Sequence, residues 1–186
     1  GMPPFLADCA AKGGNSTTNV PMLEVDGKFY SQSQAVLRFI GNKFNLSGGK
    51  DCEQAFAVDK LIADAEDLRT LAYKCAYMPA FGKLPKKEEV DKIQKEQIPK
   101  HLANFERQLG SQDFFGGAAP SIADVTVYNV LADFIAAMFT PAILAETPAL
   151  QKFCDRFAAI PSIKAYLASD ARASRFNFSP ALLPTE

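Results

Sequence analysis

Apolar positions follow two different periods along this chain, and the point where the period changes divides it in two. Met22, Leu23 and Val25, then Phe29 and Tyr30, make two short apolar segments around Asp26-Gly27, the dipeptide that a two-residue type I′ turn favours. A β-hairpin is predicted. Ser31-Gln32-Ser33 follows with N-cap chemistry, and Ala35, Val36, Phe39 and Ile40 recur at helical spacing until Gly41 stops the run. Residues 20 to 40 thus predict a ββα unit. Ahead of it, MPPFLADCAAKGGNSTTN reads as loop, with a turn of helix around Phe5 to Ala11.

Gly41 to Asp51 is glycine-rich and polar and reads as a linker, beyond which only the helical period remains. Cys52 to Met78 sets Ala55, Val58, Leu61, Ile62, Ala65, Leu68, Leu71, Ala72 and Cys75 on one broad face of a long helix that Pro79 ends. Its other side is acidic, and there Asp59 and Asp64 read as a solvated face. A second long helix, antiparallel to the first, is expected over Lys86 to Leu109, closed by Gly110. Ser121 and Asp124 form an S-x-x-D capping box ahead of a helix from Ile122 to Phe139 that is apolar nearly all round, Val125 included. Thr147-Pro148 opens a helix through Ala159, and Pro161 starts a short one to about Ser169. The expected organisation is an α/β unit over 2–43, a linker over 44–52, an all-helical domain over 53–170 and a tail over 171–186.

The chain has 186 residues with 20 basic and 21 acidic side chains, so no net field steers it onto nucleic acid. Cys9, Cys52, Cys75 and Cys154 show no CxxC spacing, and His101 is the sole histidine, which disfavours zinc and dithiol redox chemistry. No metal is expected. The most apolar stretch, Val125 to Ala145, is interrupted by Asn129, Asp133 and Pro141, so no membrane span is predicted and a cytoplasmic protein is expected. His101 reads as packing or surface, Tyr30 as a packed strand aromatic, and Asp133 as hydrogen-bonded structure.

Two features of the ββα unit suggest binding. Pro21 opens the first strand, where a proline is tolerated only at an edge, a first position or a cis turn. A cis bond there would leave the Val20 peptide groups facing outward, free to pair with an extended peptide. The helix start at Gln32-Ser33 offers unpaired N–H groups and a positive dipole end to a carboxylate. An anionic peptide would suit both.

The stretch VPMLEVDGKFYSQSQAVLRFI resembles the third strand, fourth strand and third helix of the cytosolic glutathione S-transferases, and VDKLIADAEDLRTL and AIPSIKAYL are most similar to the sigma class, which includes prostaglandin D synthases and S-crystallins. This resemblance implies a truncated thioredoxin-like N-terminal domain and an all-α bundle of glutathione transferase type. It implies glutathione as co-substrate, a small hydrophobic electrophile and a homodimer. By position, Val20 would hold the cysteinyl backbone of glutathione, and Gln32 and Ser33 its γ-glutamyl end. Lys12 and Asn19 would lie near the glycine carboxylate, and Asp67 would reach across the dimer axis to the γ-glutamyl amine. Glu66 stands where the prostaglandin synthases carry an aspartate tied to metal response. Pro21, Ser121 and Asp124 would be structural.

Members of that family begin with a strand, a helix and another strand, ending the first strand with a tyrosine that stabilises the thiolate. The sequence carries no counterpart to these, and no catalytic residue is assigned. The uncovered sheet edge is expected to be masked by the helical domain, the N-terminal segment or another chain. Tyr73, Tyr77 and Phe81 are either electrophile-pocket lining or core. Two functions follow: an enzyme conjugating glutathione to electrophiles, or a catalytically silent binding or interaction module of the same fold.

Overall fold

The computed structural model describes residues 4–12, 21–49, 51–80, 86–139 and 141–172. A helix α1 (Pro4–Ala11) precedes strands β1 (Met22–Val25) and β2 (Lys28–Ser31), which pair antiparallel with Met22 opposite Ser31 and Val25 opposite Lys28. Asp26 and Gly27 hold φ of 52° and 72°, the doubly left-handed geometry of the type I′ turn, which matches the twist of the strands it joins. Successive strand residues face opposite sides. Tyr30 stacks on Phe39 of α2 (Ser33–Lys43), with ring centroids 4.3 Å apart. Phe29, on the other face, lies under the Lys12 ammonium. The outer edge of β1 pairs with no strand among the described residues.

Gly41 does not stop α2, which runs on to Lys43. Gly41 is buried there, and a Cβ on it would come within 2.8 Å of Ile122 Cγ2. The residue is small so that α2 can approach the first turn of α6 (Ile122–Tyr128). The segment between α2 and α3 is stitched to the same place: Leu46 N–H donates to Gly41 O at 2.7 Å, and Ile122 N–H donates to Leu46 O at 2.8 Å.

The rest is helical. α3 spans Cys52–Ala80, passing through Pro79, and its buried face begins at Val58; Ala55 is exposed. Leu61, Ile62, Ala65, Leu68, Ala72 and Cys75 pack into one core with α5 (Ile98–Leu109), α6 and α8 (Pro148–Ala159). The second long helix is built from α4 (Lys87–Lys92), a π turn over Ile93–Gln97, and α5. Pro99 accounts for the break: it has no N–H to return to the Lys95 carbonyl, and the chain takes the wider register just ahead of it. α6 likewise continues through a π turn (Asn129–Ile135) into α7 (Ala136–Met138), and Val125 is exposed rather than core. A 3₁₀ turn (Pro141–Leu144) precedes α8, and α9 spans Pro161–Leu167. No helix among the described residues is long and apolar enough to cross a membrane. An α/β hairpin unit followed by a helical bundle is therefore the architecture.

Candidate functional site

The head of α2 is shaped unlike an ordinary helix start. Gln32 takes the N-cap position with φ 71° and ψ 103°, and no side chain caps the turn. A left-handed φ in a residue with a Cβ costs about 1–3 kcal/mol and persists where surrounding structure imposes it, often at binding sites. Gln32 and Ser33 are both exposed. The first turn thus presents open N–H groups and a hydroxyl beside the positive end of an eleven-residue helix, a seat for a carboxylate. The expected Ser-based cap is absent here, which is what leaves those donors open.

α2 is fastened to α3 at two levels. Gln34 Nε2 donates to Glu66 Oε2 at 3.2 Å, and Arg38 Nε meets Asp59 Oδ1 at 2.8 Å while its Nη1 donates to Gln34 O. Asp59 is exposed, as expected, but it also carries this ion pair. Asp64 departs from the expected solvated face: it is half-buried and accepts from Lys60 Nζ at 2.6 Å and Gln108 Nε2 at 3.0 Å. Burial opposes the Asp64 charge, but hydrogen bonds from Lys60 and Gln108 and the Lys60 charge outweigh it and hold its carboxyl below the usual carboxylate range. Glu66 also meets Arg69 Nη1 at 3.4 Å; Arg69 donates to Asn129 Oδ1 at 3.3 Å and lies over the Phe134 ring. Gln34 Oε1 and Arg69 Nε are buried without partners among the described residues, an uncommon cost that concentrates at functional sites.

Of the residues expected at the site, Gln32 and Ser33 stand together. Val20 and Asn19 lie outside the described residues. Pro21 is exposed at the entrance to β1. Lys12 pairs with Asp8 at 2.8 Å and lies over Phe29, on the hairpin face opposite Tyr30 and α2. Asp67 is exposed on α3, one residue beyond Glu66. Tyr73 packs edge-on against Phe134, while Phe81 and the Tyr77 side chain lie outside the described residues. The Gln34–Glu66, Arg38–Asp59 and Arg69–Asn129 contacts carried no signal in the sequence, since they join residues 32, 21 and 60 apart; the Arg69–Glu66 pair, by contrast, is local.

Ser121 and Asp124 are buried at the start of α6. Ser121 Oγ accepts from Ala123 N–H, and Asp124 accepts from the Ser121, Phe115 and Gly116 N–H groups at 2.8, 2.6 and 3.1 Å. No nucleophilic thiol is offered by Cys75 or Cys154: burial pushes them up to about 11 and about 12, which keeps both protonated near neutral pH. Among the described residues no three His, Cys, Asp or Glu side chains could hold a metal ion. A cleft of about 370 Å³ lies well away in sequence, lined by Glu106, Gln112, Asp113, Lys152 and Arg156. Its charges are largely engaged already: Glu106 accepts from Ala149 N–H at 3.0 Å and Arg156 pairs with Asp113 at 3.3 Å.

Residues 66–170 match the family described as "Glutathione S-transferase, C-terminal domain". The chain is 35% identical over 166 residues to "Glutathione S-transferase Mu 6" of Mus musculus, covering 89% of this chain and 70% of that one. Among solved structures, the glutathione S-transferase from Ascaris lumbricoides superposes with a TM-score of 0.72 at 25% identity, covering 91% of this chain and 83% of that one. The Pi-class glutathione S-transferase of Onchocerca volvulus shares the fold, with a TM-score of 0.73 at 24% identity over 89% of this chain and 76% of that one.

Proposed function

Because this chain belongs to the glutathione S-transferase family, we propose that it binds glutathione at the head of α2 and serves conjugation of the thiol to small hydrophobic electrophiles. The observation that carries this reading is Gln32, held at φ 71° ahead of an uncapped helix whose Ser33 is exposed. The γ-glutamyl carboxylate accepts from the open N–H groups and the Ser33 hydroxyl, with Gln32 beside it. On the family resemblance alone, Val20 is assigned to the cysteinyl backbone and Lys12 and Asn19 to the glycine carboxylate. In a homodimer, exposed Asp67 answers the γ-glutamyl ammonium of the partner's ligand. Conjugation further needs a hydroxyl that stabilises the thiolate, a role that none of the residues above takes.

The class is a finer matter. The quoted motifs resemble the sigma class, while the relatives named above carry Mu and Pi names. The family resemblance favours a cytoplasmic homodimer.

Retention on immobilised glutathione tests the seat. The unaltered chain is expected to be retained, and replacing Gln32 and Ser33 together by Ala to weaken retention about tenfold or more, as loss of the Ser33 charge-assisted hydrogen bond and of the Gln32 contact requires. Unchanged retention would remove the assignment. A chlorinated nitrobenzene then separates transferase from silent binder: the enzyme gives a rate above that of the free thiol, and the binding module does not.

A further inference from the structure

We propose that Glu66 is a positioning residue for the glutathione seat, acting through Gln34 on the first turn of α2; this rests on the reading of the seat given above. The first turn carries a strained residue, Gln32, and has no side-chain cap of its own, so its conformation has to be imposed from outside. The side chain that reaches into it is Glu66, whose Oε2 accepts from Gln34 Nε2 at 3.2 Å. Gln34 directly follows Ser33, so a displacement of its side chain moves the N–H groups offered to the ligand.

The Glu66 carboxylate is in turn held from the bundle. Arg69 Nη1 lies 3.4 Å from the same Oε2, and its Nη2 donates to Asn129 Oδ1 at 3.3 Å. Asn129 Nδ2 donates to Asp133 Oδ2 at 3.0 Å, and Arg172 Nη2 donates to Asp133 Oδ1 at 2.6 Å. Asn129 and Asp133 open and close a turn of the π segment, an irregularity that re-aims side chains. A chain of polar contacts therefore runs from Arg172 through the π segment to the first turn of α2. The second tie, Arg38 to Asp59, grips α2 one turn later and touches Gln34 only at its carbonyl. It secures the helix without setting the seat.

The test uses the full chain and two readouts. Amide exchange of Val36, whose N–H closes the first turn on Gln32 O at 2.9 Å, reports the turn without any ligand; calorimetric titration with glutathione reports the seat. Glu66→Ala is expected to speed Val36 exchange about tenfold and weaken glutathione binding about fivefold to tenfold. Glu66→Gln keeps an acceptor for Gln34 and restores most of both. Gln34→Ala combined with Glu66→Ala is no worse than either alone, as one shared contact requires. Asp59→Ala leaves glutathione affinity within about twofold. Wild-type exchange and affinity in Glu66→Ala, or additive effects in the double variant, would overturn the proposal. Were the unaltered chain not to bind glutathione, the functional reading would fall, and Val36 exchange would still decide the role of Glu66.

Discussion

Asp124 shows how much one buried side chain can hold. It is fully buried and accepts from three backbone N–H groups and the Ser121 hydroxyl. Asp124→Ala would leave those donors facing a void, so a loss of about 3–5 kcal/mol is expected. For a chain of this size that is a fall in melting temperature on the order of 10 °C. A thermal melt checks it, and an unchanged midpoint would contradict it. The Ser121-x-x-Asp124 pattern was legible in the sequence because its bonds close within three residues. The bonds to Phe115 and Gly116 were not, since nothing local ties that loop to Asp124. Asp59 does lie on the exposed side of α3 and Asp64 is half-buried there, but the contacts that Arg38 and Gln108 make with them from 21 and 44 residues away left no local trace.

At the level of single elements, the hairpin was the easiest part to read. Asp26-Gly27 demands left-handed geometry at both positions, and few alternatives satisfy it. Gly41 was read as a helix stop from the same kind of local rule, and the rule lost. Its cause is tertiary: Ile122 lies where its Cβ would be. Gly41→Ala gains helix propensity of up to about 1 kcal/mol, yet it drives a methyl into the Ile122 side chain at a crossing with no slack, which costs about 1–3 kcal/mol. Net destabilisation is expected, with α2 pushed off α6; chemical denaturation of the Ala variant measures it. A midpoint above that of the unaltered chain would show that Ile122 yields freely. The π turns were legible only in hindsight for Pro99, and not at all for Asn129 to Ile135, where no proline marks the change of register.

Across the whole molecule, the seat belongs to both halves of the chain. The hairpin and α2 supply the backbone and the strained Gln32, while α3 supplies Glu66, which accepts from Gln34 in the first turn of α2. The division into an α/β unit and a helical bundle followed from the change of hydrophobic period, because each half buries its face by its own geometry. The contacts joining the halves did not follow, since polar pairs between elements leave no periodicity behind. Under the proposed function, glutathione takes the head of α2 through the open N–H groups there. The most direct measurement is an amide ¹H–¹⁵N spectrum of the full chain titrated with glutathione. The account predicts that the largest shifts fall on Ser33, Gln34 and their neighbours at the start of α2. Unmoved amides there, with shifts gathered instead around Gly110 to Asp113 and Lys152 at the distant cleft, would contradict it.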